Sequence, residues 1–272
     1  MALTDNCDLY VAINENGINL VVQHIMRQRP SLFNYATSDI AADQELWCAP
    51  VDITSDVKKY GNPIFTVSNP IPVLGADSPP VELSFCAQLT KASIDFHPGN
   101  VISLPSELNP PLQKQHFAMQ FKICGAIGCP SEKDVDTIPV VPPQQGDKQT
   151  TVPPVHVKGK LNCFCLDIFV VGHFERTVIL GKECLLGKVD RLDIVDIKPD
   201  GLEQNLVCYL KTTLNLVLRQ KLAIPFEKMF LSFPLFNIAT ITLSPTPNPP
   251  VPNNPAVEDD QLKAFISMGV GP

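Results

Sequence analysis

Positive charge is scarce in this chain: 21 lysines and arginines stand against 28 aspartates and glutamates, a net charge of −7 over 272 residues. No dense basic patch breaks that balance, which argues against a nucleic-acid footprint and against a purely electrostatic membrane binder. Long apolar runs are also missing. The longest, such as Phe164 to Val171, fall well short of a membrane span. The opening residues Met1-Ala2-Leu3-Thr4-Asp5-Asn6 carry no basic segment followed by an apolar core, so no secretory signal is expected, and the expected compartment is the cytoplasm, with non-classical export left open. No paired C-x-x-C spacing, no glycine-rich phosphate loop and no internal repeat is present; Gly125 and Gly128 are too isolated to cradle a phosphate.

What is present describes a folded globular protein. The apolar fraction is 44% and the charged fraction 18%. Proline, at 27 residues, is abundant and clustered, which predicts many extended segments and few long helices. The expected layout is a single elongated domain over 1–272 with Pro-rich loops at 139–155 and 244–257. Nine cysteines read as mostly reduced, buried thiols.

Along the chain, Tyr10, Ile13, Gly17, Val21 and Ile25 make one stripe, which predicts an amphipathic helix between Cys7 and Gln28 with Gly17 allowing close packing against a strand. Val81, Leu83, Phe85, Ala87 and Leu89 alternate with polar residues, the pattern of a half-buried strand. The parity changes after Lys91, which predicts a β-bulge that curls the sheet. Phe117, Met119, Phe121 and Ile123 repeat the alternation, and Leu161 to Val171 is apolar on nearly both faces, as in a covered central strand. Ile238 to Leu243 and Leu262 to Met268 read as short closing strands.

The most regular stretch follows Lys198-Pro199-Asp200-Gly201. Leu202, Leu206, Leu210, Leu214, Leu218 and Leu222 recur every four residues, widened by Val207 and Val217, with Asp200 as an N-cap acceptor and Pro225 as the stop. That spacing predicts a helix of about six turns.

The order of these elements resembles the tubular lipid-binding (TULIP) superfamily, including its bactericidal/permeability-increasing type and the P47-like proteins of bacterial toxin gene clusters. The likeness is carried by Asp8-Leu9-Tyr10 leading the first helix, by the Val81–Phe96 strand, and by Leu192-Asp193-Ile194 with Pro199-Asp200-Gly201-Leu202-Glu203 before the Leu stripe. The resemblance implies an α+β fold: a long, strongly curved antiparallel sheet wrapped around a long amphipathic helix, with an N-terminal amphipathic helix. It implies an apolar seam able to hold acyl chains, and no catalytic residues. The absence of a signal segment sets the chain apart from the extracellular members.

Candidate chemistry is sparse. Cys124, Cys129, Cys163 and Cys165 invite a zinc reading with His156 or His173, or a Cys124–Cys129 disulfide, but buried thiols are the preferred account. His97, His116 and His173 are scattered in sequence, so no Cys/His catalytic pair is expected. Glu258-Asp259-Asp260 reads as a solvated run, and Glu175-Arg176 and Asp190-Arg191 as surface ion pairs. No catalytic residue, metal ligand or cofactor is assigned.

The expected function is therefore non-enzymatic binding of lipid or another apolar small molecule. Its seam would be lined by Ile13, Val21, Ile25, Phe85, Phe121, Phe164, Leu206, Leu210 and Leu214. The alternative is a structural or adaptor subunit of a larger bacterial assembly, a toxin complex or phage-tail-like particle, with a filled core and protein partners docking on the Pro-rich loops.

Overall fold

The computed structural model describes residues 7–51, 63–68, 71–77, 80–108, 112–129, 133, 136–138, 155–157, 160–179, 182–195, 223–225, 231–235, 239–246 and 254–271. Strand β1 (Leu9–Asn14) leads directly into helix α1 (Glu15–Gln28). Next come β2 (Asn34–Thr37), the short helix α2 (Ser38–Ala41), β3 (Phe65–Val67), β4 (Ile71–Asp77), β5 (Pro80–Leu83) and β6 (Phe85–Phe96). The chain continues through β7 (His116–Cys129), β8 (Val155–Val157), β9 (Lys160–Leu161), β10 (Phe164–Ile179) and β11 (Lys182–Val195). It closes with β12 (Ala223–Pro225), β13 (Leu231–Leu235), β14 (Ala239–Pro245), β15 (Ala256–Glu258) and β16 (Gln261–Gly271).

This is a sheet-rich fold, and it overturns the expected long helix wrapped by one curved sheet. The strands form three sheets, and among the described residues the longest helix is α1, at 14 residues. The Leu202–Leu222 stripe lies outside the described residues, and Pro225, expected to stop it, belongs to strand β12. A four-residue apolar period is a local signal, and here it does not decide the architecture.

The residues divide into two compact units, with β6, β7 and β10 contributing to both. Unit 1 comprises Met1–Val22, Ala92–Gln120 and Asp167–Pro272. In it β16 is the centre of an antiparallel sheet ordered β1-β16-β14-β13, with β15 folded back on β16 as a hairpin. Asp259 and Asp260 make that hairpin's turn, both at positive φ (54° and 58°), a conformation aspartate tolerates better than most residues. A second set of strands, β12-β11-β10-β7-β6, runs through the same unit. One core cluster gathers Phe96, Phe117 and Val257; another gathers Ile102, Leu108, Leu112, Ala118, Phe169 and Val171. Of the stretch Leu161–Val171 expected to be covered, Leu166 and Ile168–Val171 of β10 are buried, whereas Asn162, Cys163 and Phe164 are exposed.

Unit 2 comprises Gln23–Lys91 and Phe121–Leu166. In it β2 pairs with β6 antiparallel and with β3 parallel, and β4-β5-β8 form a small sheet. Ala36, Ile40, Ile64 and Cys86 are its core, flanked by Trp47, Cys48 and Leu161. Two disulfides, Cys48–Cys163 and Cys124–Cys165, staple this unit, so the expectation of reduced thiols fails for these four cysteines. Cys124 pairs across to the neighbouring strand β10, not to Cys129.

Three local expectations are corrected by polar side chains that satisfy backbone groups. The helix expected from Cys7 begins only at Glu15, because Leu9–Asn14 finds a full register of partners on β16. Its buried side is then set by Glu15 and Asn19, not by the apolar stripe. Asn19 donates to the Ile94 carbonyl and accepts the Ile94 N–H, both at 2.8 Å. Leu20 and Val21 consequently face outward, 67% and 57% exposed. Nothing lies within 4 Å of where a Gly17 Cβ would stand, so that glycine does not serve close packing.

In β6 the expected faces are exchanged. Cys86 and Gln88 are buried, while Phe85, Ala87 and Leu89 are half-buried. Gln88 explains the inversion, since its amide donates to the Ala49 carbonyl (2.9 Å) and accepts the Ala49 N–H (2.8 Å). A register shift lies between Val171 and Gly172 of β10, opposite β11. The flanks of the second Pro-rich loop are not a free arm either. Asn254 is buried, its amide donating to the Phe265 carbonyl (2.7 Å) and its oxygen accepting the Phe265 N–H (3.0 Å). Residues 139–154 and 247–253 lie outside the described residues.

Candidate metal centre

The chemistry-bearing cluster of unit 1 grows out of strand alternation. His116-Phe117 opens β7 and His173-Phe174 sits in β10, its neighbour in the sheet. Phe117 and Phe174 turn into the core, with ring centroids 4.9 Å apart. The period of two then sends His116 and His173 together to the other face, their rings 5.4 Å apart.

Asp190 joins them from β11. In the β10–β11 pairing Gly172 faces Val189 and Val171 faces Arg191, so Asp190 is the extra residue of the bulge. Gly172 makes this possible. A Cβ there would stand 2.3 Å from the Lys188 carbonyl oxygen and 2.9 Å from the Phe117 ring. The bulged strand thus approaches a position that only glycine can occupy.

The result is a close constellation. His173 Nδ1 lies 2.7 Å from Asp190 Oδ2, and His116 Nε2 lies 3.7 Å from the same oxygen. One ligand atom from each of the three residues falls within 4.8 Å of the others. The side chains are 27%, 23% and 28% exposed for His116, His173 and Asp190, so they are held by the sheet yet open to solvent.

The outer contacts decide which nitrogens face the centre. His116 Nδ1 is 3.1 Å from the Lys114 carbonyl, an approach in which Nδ1 donates, and Nε2 is the nitrogen that faces Asp190. His173 Nε2 lies 3.5 Å from Glu175 Oε2, and Glu175 is in turn 3.8 Å from Lys188 Nζ. Each imidazole therefore offers one nitrogen inward while a separate acceptor holds the other, the arrangement that fixes histidine ligands around a metal.

The two contacts to Asp190 are also short enough for one ion. Zinc binds imidazole nitrogen at about 2.0–2.1 Å and carboxylate oxygen at about 2.0–2.2 Å, so two ligands of one ion stand at most roughly 4.2 Å apart. The two distances to Asp190 already lie within that limit.

The sequence-derived seam does not assemble in this way. Ile13 stands exposed on β1, and Val21 and Ile25 stand exposed on α1. Phe85 and Phe121 are half-buried, and Phe164 is 53% exposed. The Ser84 carbonyl takes the Gly128 N–H, whereas Thr90 donates to the Lys122 carbonyl. Phe85 and Phe121 therefore lie at opposite ends of the β6–β7 overlap in unit 2. None of the described seam residues lines the cavity of about 190 Å³ in that unit, which is bordered by Met26, Phe33, Asn34, Val51 and Leu89 among others. Leu206, Leu210 and Leu214 lie outside the described residues.

The metal-type cluster was missed because its three members are separated by 57 and 17 positions, and only the pairing of β7, β10 and β11 joins them. A signal did exist, the His-Phe dipeptide repeated in two strand-like runs. Asp190 and Glu175, expected in surface ion pairs with their arginine neighbours, turn instead to His173. The acidic run 258–260 is likewise not simply solvated: Lys263 reaches Glu258 at 3.4 Å and Asp259 at 2.5 Å. His156 lies in β8, in the other unit from this cluster.

Among the described residues no helix is long and apolar enough to cross a membrane. No protein-family model and no curated protein matches the chain.

Proposed function

We propose that the protein binds a divalent transition-metal ion through His116 Nε2, His173 Nδ1 and the Asp190 carboxylate. The observation that carries this is the convergence of His116 Nε2 (3.7 Å) and His173 Nδ1 (2.7 Å) on Asp190 Oδ2, with one ligand atom of each residue within 4.8 Å of the others. A metal cation placed between these atoms would be bound by all three side chains at once. Two imidazoles and one carboxylate suit zinc, iron, cobalt, nickel or copper, and disfavour calcium and magnesium, which take oxygen donors.

Such an ion cross-links β7, β10 and β11 and is partly open to an outside donor. The activity is binding, with no nucleophile or general base assigned. The two disulfides of unit 2 favour an oxidising compartment over the expected cytoplasm.

The test is calorimetry and thermal unfolding of chelator-treated protein with Zn²⁺, Co²⁺ and Ni²⁺, with Ca²⁺ and Mg²⁺ as controls. One equivalent of transition metal should bind, and stability should rise by about 2.7 kcal/mol at a hundredfold excess over Kd. Equal responses to Ca²⁺ and Zn²⁺, or no response at all, would refute the site.

A second reading, a protein-docking role, is supported by the outward Leu20 and Val21 of α1. Its check is light scattering of the wild type and of Leu20→Lys at rising concentration. Identical monomer masses would count against self-association through this face.

A further inference from the structure

A different knot in unit 1 is built from carboxyl groups that face one another without a cation. Glu15, the first residue of α1, is 0% exposed. Its Oε2 accepts the Phe96 N–H at 2.6 Å, while its Oε1 is buried and has no partner. Beside it, Asp95 is also buried. It accepts the N–H groups of Asn100 (3.1 Å), Val101 (3.0 Å) and Ile102 (2.7 Å), which holds the loop after β6 and seats Ile102 in its core cluster.

The third member, Asp260, ties the hairpin turn of β15 and β16 to the same place. Its carbonyl takes the Glu15 N–H (3.1 Å), its own N–H reaches the His97 carbonyl (2.9 Å), and its Oδ2 takes the Asn100 amide (2.9 Å). Its Oδ1 is buried without a partner.

We propose that Glu15 is a proton-operated latch, locked when its carboxyl is neutral and released when it ionises. In the locked state the carboxyl can share its proton with Asp95 and joins α1, the end of β6 and the β15–β16 turn. Loss of the proton leaves a buried negative charge beside Asp95 and loosens the helix start, the 97–102 loop and the turn together.

The surroundings support this. The charges acting on Glu15 are both negative, Asp95 and Asp260. On α1 its buried neighbour is the neutral Asn19. The His97 ring is bonded to the Leu112 carbonyl. At the turn, Asp259 is engaged by Lys263, which also holds Glu258, and Lys114 pairs with Glu258. Burial is the largest influence and raises the Glu15 pKa from 4.5 to about 7. The Phe96 N–H pulls it back, and the neighbouring Asp95 and Asp260 push it up again.

The direction of the effect follows from linkage. An unfolded glutamate releases its proton near 4.5 and the folded one near 7. The folded state therefore holds more protons in that window, and stability contributed by Glu15 declines as pH rises through it.

The experiment follows the Glu15 side-chain carbonyl carbon by NMR in the full chain from pH 4 to 9, with chelator present so that the metal site does not contribute. In parallel, unfolding midpoints of wild type and Glu15→Gln are compared. The glutamine keeps a neutral group able to accept from Phe96 and donate to Asp95. We expect a Glu15 midpoint near 7 and a wild-type stability decline between pH 4.5 and about 7 that is absent in Glu15→Gln. A Glu15 midpoint below 5, or an unchanged decline in the variant, overturns the proposal. If Glu15→Gln does not fold, the wild-type titration alone decides it.

Discussion

His173 and Asp190 lie on neighbouring strands with Nδ1 and Oδ2 2.7 Å apart, and the carboxylate reaches that nitrogen from the extra residue of a β-bulge. Asp190 is the one group that both imidazoles face, so it is the ligand whose chemistry is least replaceable. Asp190→Asn keeps the shape and loses the charge. It should weaken Zn²⁺ binding by more than the roughly 10–100-fold typical of outer-contact changes. Glu175→Gln, which touches only the outer nitrogen of His173, should fall within that range. Competition against a chromophoric chelator measures both, and equal losses in the two variants would remove the distinction between ligand and support.

Gly172 and Gly17 make opposite predictions for the same substitution. An alanine at 172 places its methyl 2.3 Å from the Lys188 carbonyl oxygen, a backbone atom that cannot step aside without moving the bulge. Gly172→Ala should cost about 1–3 kcal/mol by overpacking and should weaken metal binding as Asp190 shifts. Gly17 is exposed in the first turn of α1 with nothing near. Gly17→Ala should instead stabilise by about 0.5–1 kcal/mol. Denaturant titration of the pair settles the matter, and a loss at both positions would contradict the packing described.

How far the sequence carried follows from what kind of signal each element leaves. The covered strand at Leu166–Val171 was legible because burial on both faces leaves a continuous apolar run. The amphipathic helix before Gln28 was also legible, though its start and its inward face were not. Glu15 and Asn19 bury themselves by binding backbone of β6, and hydropathy counts such residues as outward. Gln88 inverts β6 for the same reason. The His116–His173–Asp190 cluster and both disulfides depend on strand neighbours far apart in the chain, and periodicity carries no information about pairing. The Leu stripe suggested an architecture because it was the most regular feature, and regularity within one segment does not fix what the other strands do.

Gln88 offers a test of that account of β6. Its amide completes both hydrogen-bonding groups of Ala49 in a buried setting. Gln88→Met keeps the volume and leaves two backbone groups unpaired, each costing about 1–3 kcal/mol. The expected loss is about 2–4 kcal/mol by urea unfolding. A hydrophobicity-based account of this strand predicts a gain, so the sign alone discriminates.

The disulfides give the last prediction, and it separates their contributions. Cys48–Cys163 spans 115 residues and Cys124–Cys165 spans 41. If each bridge acts by restricting the unfolded chain, the longer loop stabilises more, by about 0.9 kcal/mol for loops of these lengths taken singly. The two loops share most of the shorter segment, and Cys163 and Cys165 are two residues apart. Each loss is measured against the doubly bridged protein, and the two variants are the two single-bridge proteins, so the difference between them stays at about 0.9 kcal/mol. The paired alanine variants, compared by denaturant unfolding without reductant, should therefore each lose about 2–5 kcal/mol, with removal of Cys48–Cys163 the costlier. Alkylation of unreduced, unfolded wild type must first leave Cys48, Cys124, Cys163 and Cys165 unlabelled. Labelling at any of them would mean that a reducing compartment, and the thiols first expected from the sequence, describe the protein better than the bridges do.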